Sequence, residues 1–328
     1  MTDTKYDVLG IGNAIVDVIA TASDDFVAGE GLTKGRMQLI DTDRAEELYA
    51  RMNAGIEASG GSVANSMAGI ASLGGRAAFI GKVADDELGK IYAHDMKAVG
   101  VHFATPPVFD AELPTGRSLI LVTPDGERTM NTYLGAAGLL RSDDIDARLV
   151  ESSKVIYLEG YRFDLPGTKA AFYRAAQLAK DSQRKVAVTL SDKFCVEGHR
   201  QHFIDLVNNY TDILFANDEE IQALYETDFS TACEILRDKI EIACITRGPA
   251  GSVIVSGDQT IAIKAEPIDK VVDTTGAGDL YAAGFLYGYT RGLPLAECGR
   301  IASLAAAEVI GHYGPRPEVK LAELIKAA

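Results

Sequence analysis

Residues 271–289, VVDTTGAGDLYAAGFLYGY, set an acid beside a glycine turn in an order that could move a proton next to a bound anion. An apolar strand end meets Asp273-Thr274-Thr275, then Gly276-Ala277-Gly278, then Asp279 at the start of a helical run. Glycines let the backbone turn sharply and approach a ligand closely. Unpaired amides in the first helical turn converge on an anion, and the helix dipole favours negative charge there. Asp279 then has two available roles. As a helix-cap acid it contributes roughly 1 kcal/mol and no chemistry. As a base it accepts a proton from a hydroxyl attacking a phosphoryl group held by the turn.

Alone, the motif leaves both roles open. A second glycine-rich loop, GGSVANSMAGIASLGG at 60–75, also enters a helix and carries Asn65 in its first turn. By itself it reads as a tight loop with small residues for helix packing. Two such loops at strand–helix junctions of one chain read as two sides of one site. That favours the base.

The elements that must position these loops alternate between strand and helix. Tyr6 to Gly10 reads as a buried first strand and Ile15 to Ala20 as a second. A helix over Ser62 to Leu73 ends at Gly74-Gly75, the strand Ala77 to Gly81 follows, and Asp86 to Val99 is again helical. Pro124-Asp125-Gly126-Glu127 is a hairpin turn between Arg117–Thr123 and Arg128–Tyr133. From residue 155 the short runs VIYLEG, VAVTLS, ILFAN and IACIT recur between helical spans, the rhythm of parallel βαβ units. SVIVSGDQTIAIKA reads as a hairpin, and helices over Gly278–Arg291 and Leu295–Ile310 close the chain. The pattern is that of a layered α/β protein.

Bulk properties narrow the partners. The 328 residues carry 32 Lys and Arg against 47 Asp and Glu, a formal charge of −15. Such a surface repels phosphate backbones and anionic lipids, so neither nucleic acid nor a membrane is an expected partner. Cys195, Cys233, Cys244 and Cys298 form no CxxC pair and read as free thiols in a reducing compartment. The start MTDTKYDVLGIG runs from a polar leader into a strand, unlike a signal peptide, and the expected location is the cytoplasm.

Three other patterns fail. Gly10-Ile11-Gly12-Asn13 follows a strand, but Ile15 stands where a dinucleotide-binding loop needs its third glycine. Cys195, His199 and His202 have no nearby fourth zinc ligand. No GxxxxGK[ST] loop occurs, so no P-loop lysine holds ATP.

DTTGAGD followed by LYAAGF, with GGSVAN upstream, resembles the two signatures of the ribokinase-like (PfkB) family of sugar and nucleoside kinases. LGIGNAIVDVIA, RTMNTYLGAA, VTLSDKF and DILFANDEEIQAL are similar to segments of its adenosine kinase branch. The resemblance implies an α/β fold, a three-layer αβα sandwich with a small β-sheet lid. The lid would come from about residues 14–42 and 113–134 of a single kinase chain. It also implies ATP-dependent phosphorylation of a ribonucleoside 5′-hydroxyl, adenosine to AMP, by a monomer or homodimer. A ribose- or fructose-type sugar kinase, or an inosine, guanosine or cytidine kinase, stands as the alternative. A non-catalytic nucleotide sensor on the same fold is a further one.

Residue by residue, the resemblance makes Asp279 the base and Gly276, Ala277 and Gly278 the anion hole. Asp17, in the GxGNxxxD run with Asn13, corresponds to the acid that accepts hydrogen bonds from the ribose diol, for which a carboxylate offers two acceptors. Gly61 and Asn65 correspond to the ribose-holding loop. Strand alternation puts Arg128, Met130, Thr132 and Leu134 on one hairpin face, suited to a lid, and the resemblance sends Arg128 to phosphate. Met37, Leu39 and Tyr161 or Phe163 are candidates for the base pocket, although Arg162 stands where an aromatic would suit that branch. Asn217, Thr246 and Gly248 are expected on ATP, and Glu220 on Mg²⁺ through water. Asp273 and Thr275 match positions that bind a monovalent cation, K⁺, in several relatives.

Overall fold

The β-rich runs VIYLEG, VAVTLS, ILFAN and IACIT lie side by side as parallel strands in the computed structural model, which describes residues 4–109, 113–161 and 166–327. Among the described residues the first half of the chain supplies β1 (Tyr6–Ile11), β2 (Ile15–Thr21), β3 (Met37–Leu39), β4 (Ile56–Gly60), β5 (Ala77–Ile80) and β6 (His102–Phe103). Next come β7 (Thr115–Val122), β8 (Arg128–Gly135), β9 (Ser153–Glu159) and β10 (Lys185–Thr189). The last four are β11 (Ile213–Asn217), β12 (Ile242–Thr246), β13 (Ser252–Ser256) and β14 (Gln259–Ile263). The larger sheet runs β14-β13-β12-β11-β10-β9-β1-β5-β6 and is parallel except at β13 and β14.

Register explains why these strands read as unbroken apolar runs. Leu158, Val188, Leu214 and Ala243 are aligned across four strands and belong to one core. Their sequence neighbours Tyr157, Ala187, Ile213 and Ile242 belong to the core on the opposite face. A parallel sheet buried on both faces needs no polar alternation. Helices Pro166–Asp181, Lys193–Tyr210, Asp218–Tyr225 and Phe229–Arg237 cover the first face. Helices Ser62–Ser72, Glu87–Ala98, Ala277–Tyr289 and Leu295–Val309 cover the second. The result is a three-layer αβα sandwich. Full burial of side chains such as Phe172 and Phe285 contributes about 1.5–3 kcal/mol each.

Small residues set how closely the second layer packs. A Cβ on Gly69 would sit 2.6 Å from Leu280 Cδ1, and one on Gly284 would sit 2.6 Å from Ala302 Cα. Helix Ala277–Tyr289 is thus clamped between its two neighbours, and its N-terminus has one position relative to helix Ser62–Ser72.

The second sheet runs β3-β8-β7-β2-β4. One face, with Val18, Leu119 and Leu121, packs on Val27 and Leu48 of helices Asp24–Gly29 and Thr42–Arg51. The other face carries Asp17, Ser118, Ile120, Met130 and Thr132 and lines a cavity. Residues 14–42 and 113–134 contribute to β2, β3, β7 and β8, while edge strand β4 comes from IEASG, which the sequence pattern did not mark as a strand. Asp86 joins the two sheets: it accepts from Gly89 N at 2.7 Å as a helix cap, and from Thr115 N at 2.8 Å and Thr115 Oγ1 at 2.6 Å. No helix among the described residues is long and apolar enough to cross a membrane.

Candidate active site

The cavity opens where the sheet's strand order reverses around β1, beyond the carboxyl ends of its parallel strands. Asn13 follows β1, and Glu159, Thr189, Asn217 and Thr246 end β9, β10, β11 and β12 in turn; all five line the cavity. The second sheet closes the opposite wall.

Asp279 sits in the first turn of helix Ala277–Tyr289, whose cap residue Gly276 has a φ of 82° that only glycine adopts freely. The turn carries no side-chain cap, and the Ala277 amide donates to the Thr274 carbonyl at 3.2 Å. The Asp279 carboxylate is half-buried and meets the other glycine loop directly. Ser62 Oγ donates to Oδ1 at 2.6 Å and Asn65 Nδ2 donates to Oδ2 at 3.0 Å. Ser66 Oγ donates to the Asp279 carbonyl at 2.9 Å, holding the backbone as well. Burial pushes the Asp279 carboxyl above the usual carboxylate range, while the bonds from Ser62 and Asn65 and the charge of Arg128 oppose that rise. Asp279 does not cap its own helix through its side chain.

Asp17 projects from β2 into the same cavity and is 4% exposed. Burial pushes its carboxyl up to about 7; the Arg316 guanidinium pulls it back, and the charges of Asp279, Glu159 and Asp273 push it up again. Gly60 leaves its carboxylate room. Glu159 is buried at the floor, accepting from Asn13 Nδ2 at 2.6 Å and from Val63 N at 3.1 Å. It therefore ties the loop after β1 to the start of helix Ser62–Ser72. Asn65 is buried with its Oδ1 unpartnered among the described residues, leaving one acceptor for a ligand hydroxyl.

Arg128, Met130, Thr132 and Leu134 all face the cavity, as strand alternation requires. The Arg128 guanidinium donates to the Thr274 carbonyl and so links the second sheet to the glycine turn. Met37, Leu39, Ile15 and Ile120 extend the apolar wall. Tyr161 lines it too and donates through its hydroxyl to the Ser191 carbonyl at 3.0 Å. Arg162 and Phe163 lie outside the described residues.

Asn217, Glu220 and Thr246 line the cavity farther along the strand ends. Asn217 and Glu220 form a reciprocal helix cap: Glu220 accepts from Asn217 N and Nδ2 at 2.9 Å each, and Glu220 N donates to Asn217 Oδ1 at 2.8 Å. Burial pushes the Glu220 carboxyl up to about 7. Gly248 starts a short turn after β12 and does not line the cavity, nor does Ala277. Asp273 lies beneath the lining, fully buried. It accepts from Thr275 N at 2.9 Å, Thr275 Oγ1 at 2.6 Å and Gly314 N at 3.1 Å.

Three residues of the site escaped the reading of the sequence. Ser62 lay inside a recognised loop, yet nothing local showed that its hydroxyl reaches Asp279. Glu159 did leave a signal, as a charged residue closing a buried parallel strand. Ser191 lines the cavity with a φ of 72° and a buried hydroxyl unpartnered among the described residues. A serine held in the left-handed region is uncommon, and its place at a cavity wall is the one signal the backbone gives for it.

A family model described as pfkB family carbohydrate kinase matches residues 31–320. A solved adenosine kinase from Sinorhizobium meliloti is 53% identical, with a TM-score of 0.96 over 99% of this chain and 100% of that one. A solved probable sugar kinase from Rhizobium etli is 48% identical, with a TM-score of 0.96 over 99% and 98% of the two chains. An uncharacterized sugar kinase from Archaeoglobus fulgidus is 32% identical over 76% of this chain and 96% of that protein.

Proposed function

Since the chain belongs to the pfkB family of carbohydrate kinases, we propose that this phosphotransferase acts on an alcohol that is the 5′-hydroxyl of a ribonucleoside, adenosine before others, with ATP as donor. The reading rests above all on one contact: Asp279, beside an uncapped helix turn, is bonded to both Ser62 and Asn65 of the second glycine loop. The carboxylate therefore stands at a helix start whose Gly276 and Gly278 line the same cavity, which supports the reading. The relatives named above include an adenosine kinase and a probable sugar kinase. The apolar wall of Met37, Leu39, Met130 and Leu134 favours the nucleoside, because a base has faces to bury and a free sugar does not.

In this reading Asp17 accepts both vicinal ribose hydroxyls, and Asn65 Oδ1 and the Gly61 backbone help fix the ring. Asn13 is held by Glu159 at the edge of the same subsite. The base lies between Met37, Leu134 and Tyr161. The 5′-hydroxyl is left at Asp279, which takes its proton as the oxygen attacks the γ-phosphorus. Amides of the Gly276–Gly278 turn, together with Arg128, offset the charge on the transferring group. Asn217 and Thr246 hold ATP along the strand ends, with Gly248 in the turn just beyond.

Glu220 is the residue that would hold Mg²⁺ through water. Among the described residues no cluster of three metal-ligating side chains exists, which suits an ion that keeps its waters and binds chiefly to phosphates. That ion would neutralise phosphate charge on the donor. Asp273 and Thr275 would hold K⁺. The buried Asp273 carboxylate has no Lys or Arg at ion-pair distance among the described residues, and its oxygens with that of the Thr275 hydroxyl are the lone pairs a weakly hydrated cation would use. A cytoplasmic setting suits ATP as donor and the four buried free cysteines.

The test is a panel of adenosine, guanosine, inosine, cytidine, ribose and fructose, each offered with ATP and followed by ADP release and product mass. Adenosine should give the highest kcat/KM. Phosphorylation of the sugars alone would overturn the nucleoside assignment. Ligand binding without ATP consumption would make the chain a sensor.

A further inference from the structure

We propose that the Ser62 hydroxyl holds the place of the acceptor's hydroxyl on Asp279 while no acceptor is bound, and thereby suppresses transfer of the γ-phosphoryl group to water. The inference rests on the assignment of Asp279 as base and deepens it.

Ser62 is itself a primary alcohol, the same functional group as a nucleoside 5′-carbon. Its Oγ lies 2.6 Å from Asp279 Oδ1, the distance a hydroxyl must reach before a carboxylate can take its proton. Asn65 Nδ2 occupies the other oxygen at 3.0 Å. Each carboxylate oxygen therefore already carries a donor when the cavity holds no acceptor, and a water must compete with the Ser62 hydroxyl for Oδ1.

The two donors differ in how easily they yield. Asn65 is buried in the first turn, and its backbone N–H bonds to the Gly61 carbonyl at 2.9 Å. Ser62 is the first residue of its helix and is half-buried. No preceding helical turn crowds its side chain, so rotation about χ1 is open to it. An incoming hydroxyl, fixed by its own ribose on Asp17, can displace Ser62 Oγ; a lone water, fixed by nothing, competes poorly.

The suppressed reaction is plain hydrolysis. A water oxygen bonds to the γ-phosphorus, and the bond from that phosphorus to the bridging oxygen breaks. ADP leaves with the electron pair, and the water's proton passes to Asp279. The products are ADP and inorganic phosphate. Removing the Ser62 hydroxyl opens Oδ1 to that water.

The experiment measures ATP hydrolysis without acceptor in the parent and in Ser62→Ala, with adenosine phosphorylation followed in parallel. Hydrolysis should rise at least about tenfold in Ser62→Ala, the factor that one hydrogen bond to a charged group is worth. Added adenosine should lower it again, and Ser62→Thr, which keeps the hydroxyl, should stay near the parent rate. The double variant Ser62→Ala/Asp279→Asn should lose the gain. Hydrolysis in Ser62→Ala within twofold of the parent, or a gain that survives loss of Asp279, overturns the proposal. Ser62→Gly gives the same reading should the alanine variant fail to fold. Asp279→Asn alone separates the two claims. If it still phosphorylates adenosine, the base assignment fails; if it does not and Ser62→Ala shows no gain, only the placeholder role fails.

Discussion

Gly60 is the position where one added methyl group should remove acceptor binding and leave the fold intact. A Cβ there would lie 2.0 Å from Asp17 Oδ2, 2.1 Å from its Cγ and 2.4 Å from Oδ1. Ordinary contact begins at 3.4 Å, so the carboxylate must retreat by about 1.4 Å (3.4 − 2.0). The backbone cannot make that room, because the Gly60 carbonyl is held by the Tyr92 hydroxyl at 3.2 Å and the strand is paired with β2. Gly60 has no positive φ, so alanine is compatible with its conformation. A misplacement of about 1 Å in a substrate-positioning group lowers turnover roughly 100-fold, or about 2.7 kcal/mol. Gly60→Ala should therefore lose about that factor in kcat/KM for the acceptor, chiefly through KM, with the KM for ATP nearly unchanged. Steady-state kinetics with each substrate varied in turn, beside a thermal melt, reads both effects. A folded variant whose acceptor kcat/KM stays within threefold of the parent would refute the role given to Asp17.

The same carboxylate predicts a pH dependence. With its carboxyl pushed up to about 7 by burial, Asp17 accepts diol hydrogen bonds only once ionised. KM for the nucleoside should thus fall about tenfold between pH 6 and pH 8, and Asp17→Asn should abolish that slope. A flat KM in the parent would contradict it. Elsewhere, burial raises the Asp86 carboxyl, but hydrogen bonds from Thr115 and Gly89 outweigh it and leave the group below the usual carboxylate range. Such a group stabilises the fold above its unfolded pKa, and the contribution is lost as pH falls through the folded one. Asp86→Ala should destabilise by about 1–3 kcal/mol in urea titrations at pH 7, and the deficit should shrink below about pH 4.

What the sequence made legible was local. The parallel strands stood out because both their faces are buried, as the Leu158 and Tyr157 rows show. The two glycine loops stood out because turn chemistry is written in consecutive residues. Strand β4 did not, since IEASG is an edge strand with Ile56 58% exposed and no alternation to betray it. The placement of β1 between β5 and β9 depends on pairings across the whole chain, which no window reveals. Contacts decided the remaining site residues. Ser62 meets Asp279 across 217 positions and Glu159 meets Asn13 across 146, so their roles exist only after folding. Gly248, expected on ATP from the resemblance, starts the short turn between β12 and β13 and is not among the residues lining the cavity.

The most direct test of the central claim is the rate of phosphoryl transfer from ATP to adenosine by Asp279→Asn, measured in a single turnover with nucleoside binding followed separately. Loss of a general base should slow transfer by roughly 100- to 10,000-fold while the nucleoside still binds, because Asp17 and the apolar wall are untouched. Transfer within tenfold of the parent rate would show that the carboxylate between the two glycine loops does not take the proton.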